Sequence, residues 1–355
     1  MRRVGIVGAG LIGSWHAARW QQLPVQLVGF YDHTPEHAQR AARTFGGEAF
    51  GTLEALLAAV DLVDICTPTF AHKEAVLAAA SNPILEAIIC EKPIARRLRD
   101  AETMIEACEA ANVPLFIAHV VRFFPQYARA KALQDAGDLG RPGVLRTVRA
   151  GSFPRPDPDT WYSSFTKGGG VVMDLSIHDL DFARWLFGEV ERVFARGLTF
   201  AGESRRDHAL ITLRFKNGAI GHIEGSWASP PGQFRTALEV AGEGTLLEWD
   251  SGDPSPFLLS VDAAKTGDEK VPGSDNPLVA TDDPYYLELK HVLDCLDAKK
   301  PFLVSPRDGL MALKLSLAVI ESIKTGQPVT VDTFAETDAE TDTEIDVETD
   351  SEVRS

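Results

Sequence analysis

Residues 4–20 read VGIVGAGLIGSWHAARW, and the folding of this stretch decides the architecture around it. Val4–Val7 suits a buried strand, and Gly8, Gly10 and Gly13 fall between that strand and a helical run from Leu11 to Gln22. Asp32 closes the next strand about twenty residues on, which completes a dinucleotide-binding fingerprint. The glycines permit a tight turn and a close approach of main chain to a pyrophosphate, which would rest on the helix start at Leu11 and Ile12. Asp32 would bond the adenosine ribose hydroxyls. The following HTPEHA brings no arginine for a ribose phosphate, so NAD is expected over NADP.

Working outward, apolar segments Gln26–Tyr31, Leu62–Thr67, Ala87–Cys90 and Leu115–His119 read as further strands. They alternate with helical segments Pro35–Phe45, His72–Ala80 and Leu98–Ala111. Such alternation implies a parallel sheet covered on both faces, a Rossmann domain over residues 1–120. The rhythm then changes: after a helix near Pro125–Ala136, period-two strands are expected around Val144–Phe153, Val190–Thr199, His208–Phe215 and Ala219–Trp227. Asn217-Gly218 between the last two signals a two-residue hairpin. Residues 121–333 therefore read as an α+β domain with a large, mostly antiparallel open sheet, closed by helices near Tyr285–Ala298 and Arg307–Thr325. The fold class is α/β with this second domain appended.

Hydrophobic content of 45% and charged content of 24% describe a globular chain, and no apolar run reaches the roughly 18 to 20 residues of a membrane helix. The start MRRVGIVGAGLIG fits a strand and turn better than a signal peptide, so a cytoplasmic protein is expected. The formal charge of −16 argues against nucleic acid as a partner. Much of that charge lies in residues 334–355, where acids occupy every second position from Glu336 to Glu352; a disordered, solubilising tail is expected. Cys66, Cys90, Cys108 and Cys295 show no metal-ligand spacing and read as buried thiols, so no metal is expected.

Two stretches carry the chemistry. AIICEKPIA, residues 87–95, is a buried strand ending in Glu91, Lys92 and Pro93, at the sheet edge where α/β folds bind ligands. Thr67, Pro68 and His72 reach the same edge, so they and Glu91 join the expected cofactor contacts. The second stretch, residues 167–188, reads KGGGVVMDLSIHDLDFARWLFG; a helix from Val171 would stack Asp174, His178 and Asp181 on one polar stripe. A histidine flanked by a carboxylate suits acid-base chemistry near neutral pH. The alternative is a structural network, with Asp181 paired to Arg184 and His178 to Asp174.

Taken in order, the glycine motif, TPTFAH, CEKP, VVRFFP, GGGVVMDLSIHDLD with WLFG, and SIKTGQPV resemble the Gfo/Idh/MocA family, the glucose-fructose oxidoreductase and inositol dehydrogenase relatives. The resemblance implies that Lys92 contacts substrate beside the nicotinamide, that Asp174 adds a substrate contact and that His178 is the acid-base group. It implies NAD-dependent hydride transfer to or from a secondary alcohol or ketone of a sugar, sugar derivative or cyclitol. An NAD-retaining glycoside hydrolase and a non-catalytic nucleotide sensor are the alternatives. The loop FPRPDPDTWYSSFTK matches no substrate pattern; its Arg155, Trp161, Tyr162 and Lys167, with Arg122 of VVRFFP, are candidate substrate contacts. An exposed sheet face in the second domain would favour a homodimer or homotetramer.

Overall fold

The structure, a computed structural model, describes residues 1–154, 161, 164–199, 207–253, 258–261 and 283–336. The acidic stretch from residue 337 onward, where the disordered tail is expected, lies outside them, as do Arg155 and Tyr162. Contacts divide the chain into two compact units, Met1–Phe124 with Thr281–Leu313, and Pro125–Ala280 with Lys314–Ser355.

The first unit alternates strand and helix: β1 (Arg3–Val7), α1 (Leu11–Trp20), β2 (Gln26–Tyr31), α2 (Pro35–Phe45), β3 (Glu48–Ala49), α3 (Leu53–Leu57), β4 (Leu62–Ile65), α4 (His72–Ala80), β5 (Ala87–Glu91), α5 (Leu98–Ala111) and β6 (Leu115–Ala118). The six strands form one sheet in the order β3-β2-β1-β4-β5-β6, every pair parallel. Val4, Ile6, Leu62, Ile65, Ile88 and Ile89 are fully buried, as near-continuous apolar strands covered on both faces require. The strand order reverses between β1 and β4, so the crevice where such sheets take ligands opens at their carboxyl ends.

The second unit contains α6 (Pro125–Ala136), β7 (Pro142–Gly151), α7 (Phe165–Gly168), α8 (Ile177–Phe187), β8 (Val190–Thr199), β9 (Asp207–Phe215), β10 (Ile220–Ser226), β11 (Phe234–Gly242), β12 (Thr245–Asp250) and β13 (Leu258–Val261). The remaining elements are α9 (Pro284–Ala298), α10 (Pro306–Thr325) and β14 (Val329–Thr330). The second sheet runs β13-β12-β11-β7-β10-β9-β8-β14, and only the β7–β10 pair is parallel among the described strands. The strict in-out alternation of β9 reflects a sheet with one face packed and one face open.

Three details differ from the sequence reading. The hairpin at Asn217-Gly218 forms, but its turn also takes in Lys216: the Phe215 N–H donates to the Ala219 carbonyl over 3.0 Å, and Gly218 has φ +94°. The single helix expected from Val171 is interrupted, because Val172–Ser176 is a π-helical turn and α8 starts only at Ile177. Residues 281–313, read as part of a continuous second domain, pack with the first unit.

Helix α8 is locked down by a buried ion pair. Arg149 on β7 donates from Nε to Asp179 Oδ2 over 2.7 Å and from a terminal nitrogen to the Tyr127 hydroxyl over 3.2 Å. The two charged side chains are only 4% and 0% exposed. Burial opposes the guanidinium charge, but Asp179 outweighs it and raises the Arg149 pKa. Replacing Asp179 by Ala strands that charge in the core and is expected to lower unfolding free energy by about 3–5 kcal/mol, measured by urea denaturation.

Candidate active site

The turn after β1 is built from glycine by necessity. Gly8 has φ +94°, and a Cβ there would stand 2.7 Å from the Cys66 carbonyl carbon; a Cβ on Gly13 would meet the Gly8 carbonyl oxygen at 2.0 Å. These contacts pull the turn against the end of β4. Gly10 is different: nothing stands within 4 Å of its would-be Cβ, and it precedes α1 without a side-chain cap. The amides of Leu11 and Ile12 at this helix start, uncapped by a side chain among the described residues, are therefore open to an anion.

Asp32 follows β2 directly with its carboxylate fixed, Oδ2 accepting from the Ala9 N–H over 2.8 Å and Oδ1 from the Thr34 N–H over 2.9 Å. His33 Nδ1 lies 3.3 Å and His37 Nδ1 3.5 Å from Oδ1. Thr67, half-buried beside Pro68, holds a buried hydroxyl that meets no hydrogen-bond partner among the described residues. The open space at Gly10, the uncapped helix start, the fixed carboxylate and this orphaned hydroxyl fit a dinucleotide.

His72 braces rather than borders this crevice. It is fully buried, with Nδ1 2.9 Å from the Pro93 carbonyl oxygen and Nε2 2.9 Å from that of Thr67. Burial lowers its pKa against the pull of those carbonyls. Tying the TPTFAH loop to the CEKP loop thus replaces the cofactor contact expected of it. Arg122 is likewise 2% exposed; it donates to the Leu303 carbonyl and lies 3.5 Å from Asp308, bracing residues 303–308 instead of facing a substrate.

Lys92 is half-buried, and its main-chain N–H donates to Glu91 Oε2 over 3.1 Å. Glu91 itself points inward, with Oε1 3.3 Å from His16 Nε2. The other nitrogen of His16 lies 2.9 Å from Asp64 Oδ2, an oxygen that also accepts from Trp20 Nε1 over 2.7 Å. Cys66 joins them, donating to Asp64 Oδ1 over 3.4 Å, and burial drives its thiol pKa up, so it is no nucleophile. The donor atoms of His16, Asp64 and Cys66 lie within 4.8 Å of one another. The sequence reading passed over His16 and Asp64. Their signal was present, a histidine and an aspartate inside segments otherwise buried.

In the second unit Asp174 lies half-buried in the π-helical turn and His178 is buried in the first turn of α8. A π-helical turn carries one extra residue and re-aims the side chains it bears, and such turns concentrate at functional sites. Gly225 admits Ser176 closely, since a Cβ there would meet Ser176 Oγ at 2.0 Å. Asp207 accepts from the Val171 N–H over 3.4 Å, and burial raises its pKa to about 6. Of the loop candidates, Trp161 is half-buried and Lys167 is exposed on α7.

Residues 2–119 match a family model described as an oxidoreductase family with an NAD-binding Rossmann fold, and residues 127–248 match one described as the GFO/IDH/MocA C-terminal domain. The chain is 30% identical to myo-inositol 2-dehydrogenase of Thermotoga maritima, over 93% of this chain and 98% of that protein. It is 30% identical to the NAD(+) scyllo-inositol 2-dehydrogenase of Bacillus subtilis, over 93% and 96%. A crystal structure of a probable dehydrogenase from Thermotoga maritima superposes with a TM-score of 0.77 at 29% identity, covering 93% of this chain and 99% of that one. With both halves matched in order and these relatives aligned nearly end to end, the chain belongs to the Gfo/Idh/MocA oxidoreductase family.

Proposed function

We propose that this protein is an NAD-dependent oxidoreductase that interconverts a secondary alcohol and a ketone on a sugar, sugar derivative or cyclitol. The observation that carries the reading is the side-chain-free cradle at Gly10 over the uncapped start of α1, on a chain matched over 93% of its length by inositol dehydrogenases. Bound NAD would supply the hydride acceptor. Gly8, Gly10, Leu11, Ile12 and Gly13 hold the pyrophosphate, Asp32 the ribose, and Thr67 and Pro68 line the crevice. His178 takes the hydroxyl proton as a general base; Lys92 stabilises the negative charge that develops on the same oxygen; Asp174 orients the substrate or the imidazole. The protein acts in the cytoplasm. A second copy of the chain pairs with the open face of the second sheet, where Leu198 and Leu210 are 53% and 54% exposed, to give a homodimer or homotetramer.

Absorbance of NADH across a panel of sugars and cyclitols identifies the substrate, and no turnover on any of them would count against the reading. In that assay His178→Asn is expected to lower kcat by about a hundredfold to ten-thousandfold with the Kd for NAD nearly unchanged. Lys92→Met should cost a comparable factor. Near-normal turnover in both variants would move the chemistry elsewhere.

Asp32 is expected to favour NAD over NADP by at least about tenfold, since a carboxylate roughly 4 Å from a phosphate costs on the order of 1–4 kcal/mol. Titration calorimetry with both cofactors checks this, and equal affinities would remove Asp32 from its role. Light scattering should return a mass of two or four chains; a monomer would leave the sheet face without a partner.

A further inference from the structure

Helix α9 brings Glu288 into the first unit, where it is fully buried. Neither of its carboxyl oxygens receives a hydrogen bond among the described residues. A buried carboxylate in that condition is costly, and its surroundings make matters worse: Glu91 from β5 and Asp64 from β4 act on it with like charge, while His16 from α1 acts with the opposite one. The other groups near α9 are already committed. Arg122 turns to Leu303 and Asp308, His291 Nε2 accepts from the Leu303 N–H over 2.8 Å, and Tyr285 lays its ring 5.8 Å from that of His16.

We propose that Glu288 is buried as the uncharged acid, and that Glu288 and His16 are positioning residues for Lys92. They act on the Glu91 carboxylate: His16 Nε2 stands 3.3 Å from its Oε1, and its Oε2 accepts the Lys92 main-chain N–H. The chemistry of each group agrees. An acid that keeps its proton has a donor to give the neighbouring carboxylate, and no uncompensated charge of its own. Burial, with Glu91 adding to it, raises the Glu288 pKa well above the ordinary carboxyl value. Burial disfavours the His16 imidazolium, and the Asp64 carboxylate beside Nδ1 favours it. His16 Nδ1 lies 2.9 Å from Asp64 Oδ2, and Nε2 faces Glu91 Oε1 at 3.3 Å without a hydrogen bond among the described residues. The inference rests on Lys92 contacting substrate, as proposed above; the protonation of Glu288 does not.

Wild type, Glu288→Gln, Glu288→Leu and Lys92→Met separate these parts. A carboxyl whose folded pKa lies above its unfolded one contributes stability at low pH that is lost as pH rises from the unfolded value towards the folded one. Glutamine has nothing to titrate, so between pH 5 and pH 8 the Tm of Glu288→Gln should gain at least about 4 °C on that of wild type. Parallel Tm profiles would overturn the protonated acid. With myo-inositol, or the panel compound of highest kcat/KM, Glu288→Leu should lose about ten- to a hundredfold in kcat with little change in the Kd for NAD. Glu288→Gln, which keeps shape and a donor, should restore kcat to within about threefold of wild type. Full kcat in Glu288→Leu, or no rescue by glutamine, would overturn the positioning role. Full kcat in Lys92→Met would instead remove the reading of Lys92, leaving the Tm comparison to decide the proton on Glu288.

Discussion

The turn after β1 has no room for a side chain, and the first unit is organised around that fact. Gly8 sits against the Cys66 carbonyl group and Gly13 against Gly8, so the end of β1, the start of α1 and the end of β4 meet at backbone distance. That contact brings the strand-order reversal and the helix start to one place, where an anion can reach main-chain amides. It also places His16, one turn into α1, beneath the ends of β4 and β5. The dinucleotide crevice and the buried charges below it are therefore two sides of one packing constraint.

The second unit secures α8 by other means. Arg149 and Asp179 cross from sheet to helix in a nearly dry environment, and Tyr127 satisfies a further guanidinium donor. This pair anchors α8 one residue after His178. The π-helical turn Val172–Ser176 lies directly before α8. Charge burial here fixes a helix.

Much of this was legible in the sequence where local chemistry dictates shape. Three glycines and Asp32 at fixed spacing leave few ways to fold, and period-two alternation marks β9 and β10 directly. The strands β11, β12 and β13 escaped because segments such as RTALEVAG mix alternation with residues equally at home in a helix. Lys216 entered the hairpin turn because Asn217-Gly218 specifies a turn but not its length. No local pattern shows that His16, far away in sequence, stands 3.3 Å from Glu91. Glu288 gave no signal at all, since a glutamate in a helix reads as solvent-facing until the fold returns α9 to the first unit. His72 and Arg122 show the converse error, polar residues credited to a ligand that main-chain carbonyls occupy instead.

That return has a temporal side. All six strands of the parallel sheet are made before residue 119, but α9, which covers His16 and supplies Glu288, follows only after residues 125–280. At roughly 5–20 residues per second, translation leaves an interval of about 8–30 s. Through it, His16 on α1 and Asp64 and Glu91 on the nascent sheet lack the cover of α9. The emerging amino-terminal segment is a sheet without its lid helix, and a chaperone that shields apolar surface would meet it in that form.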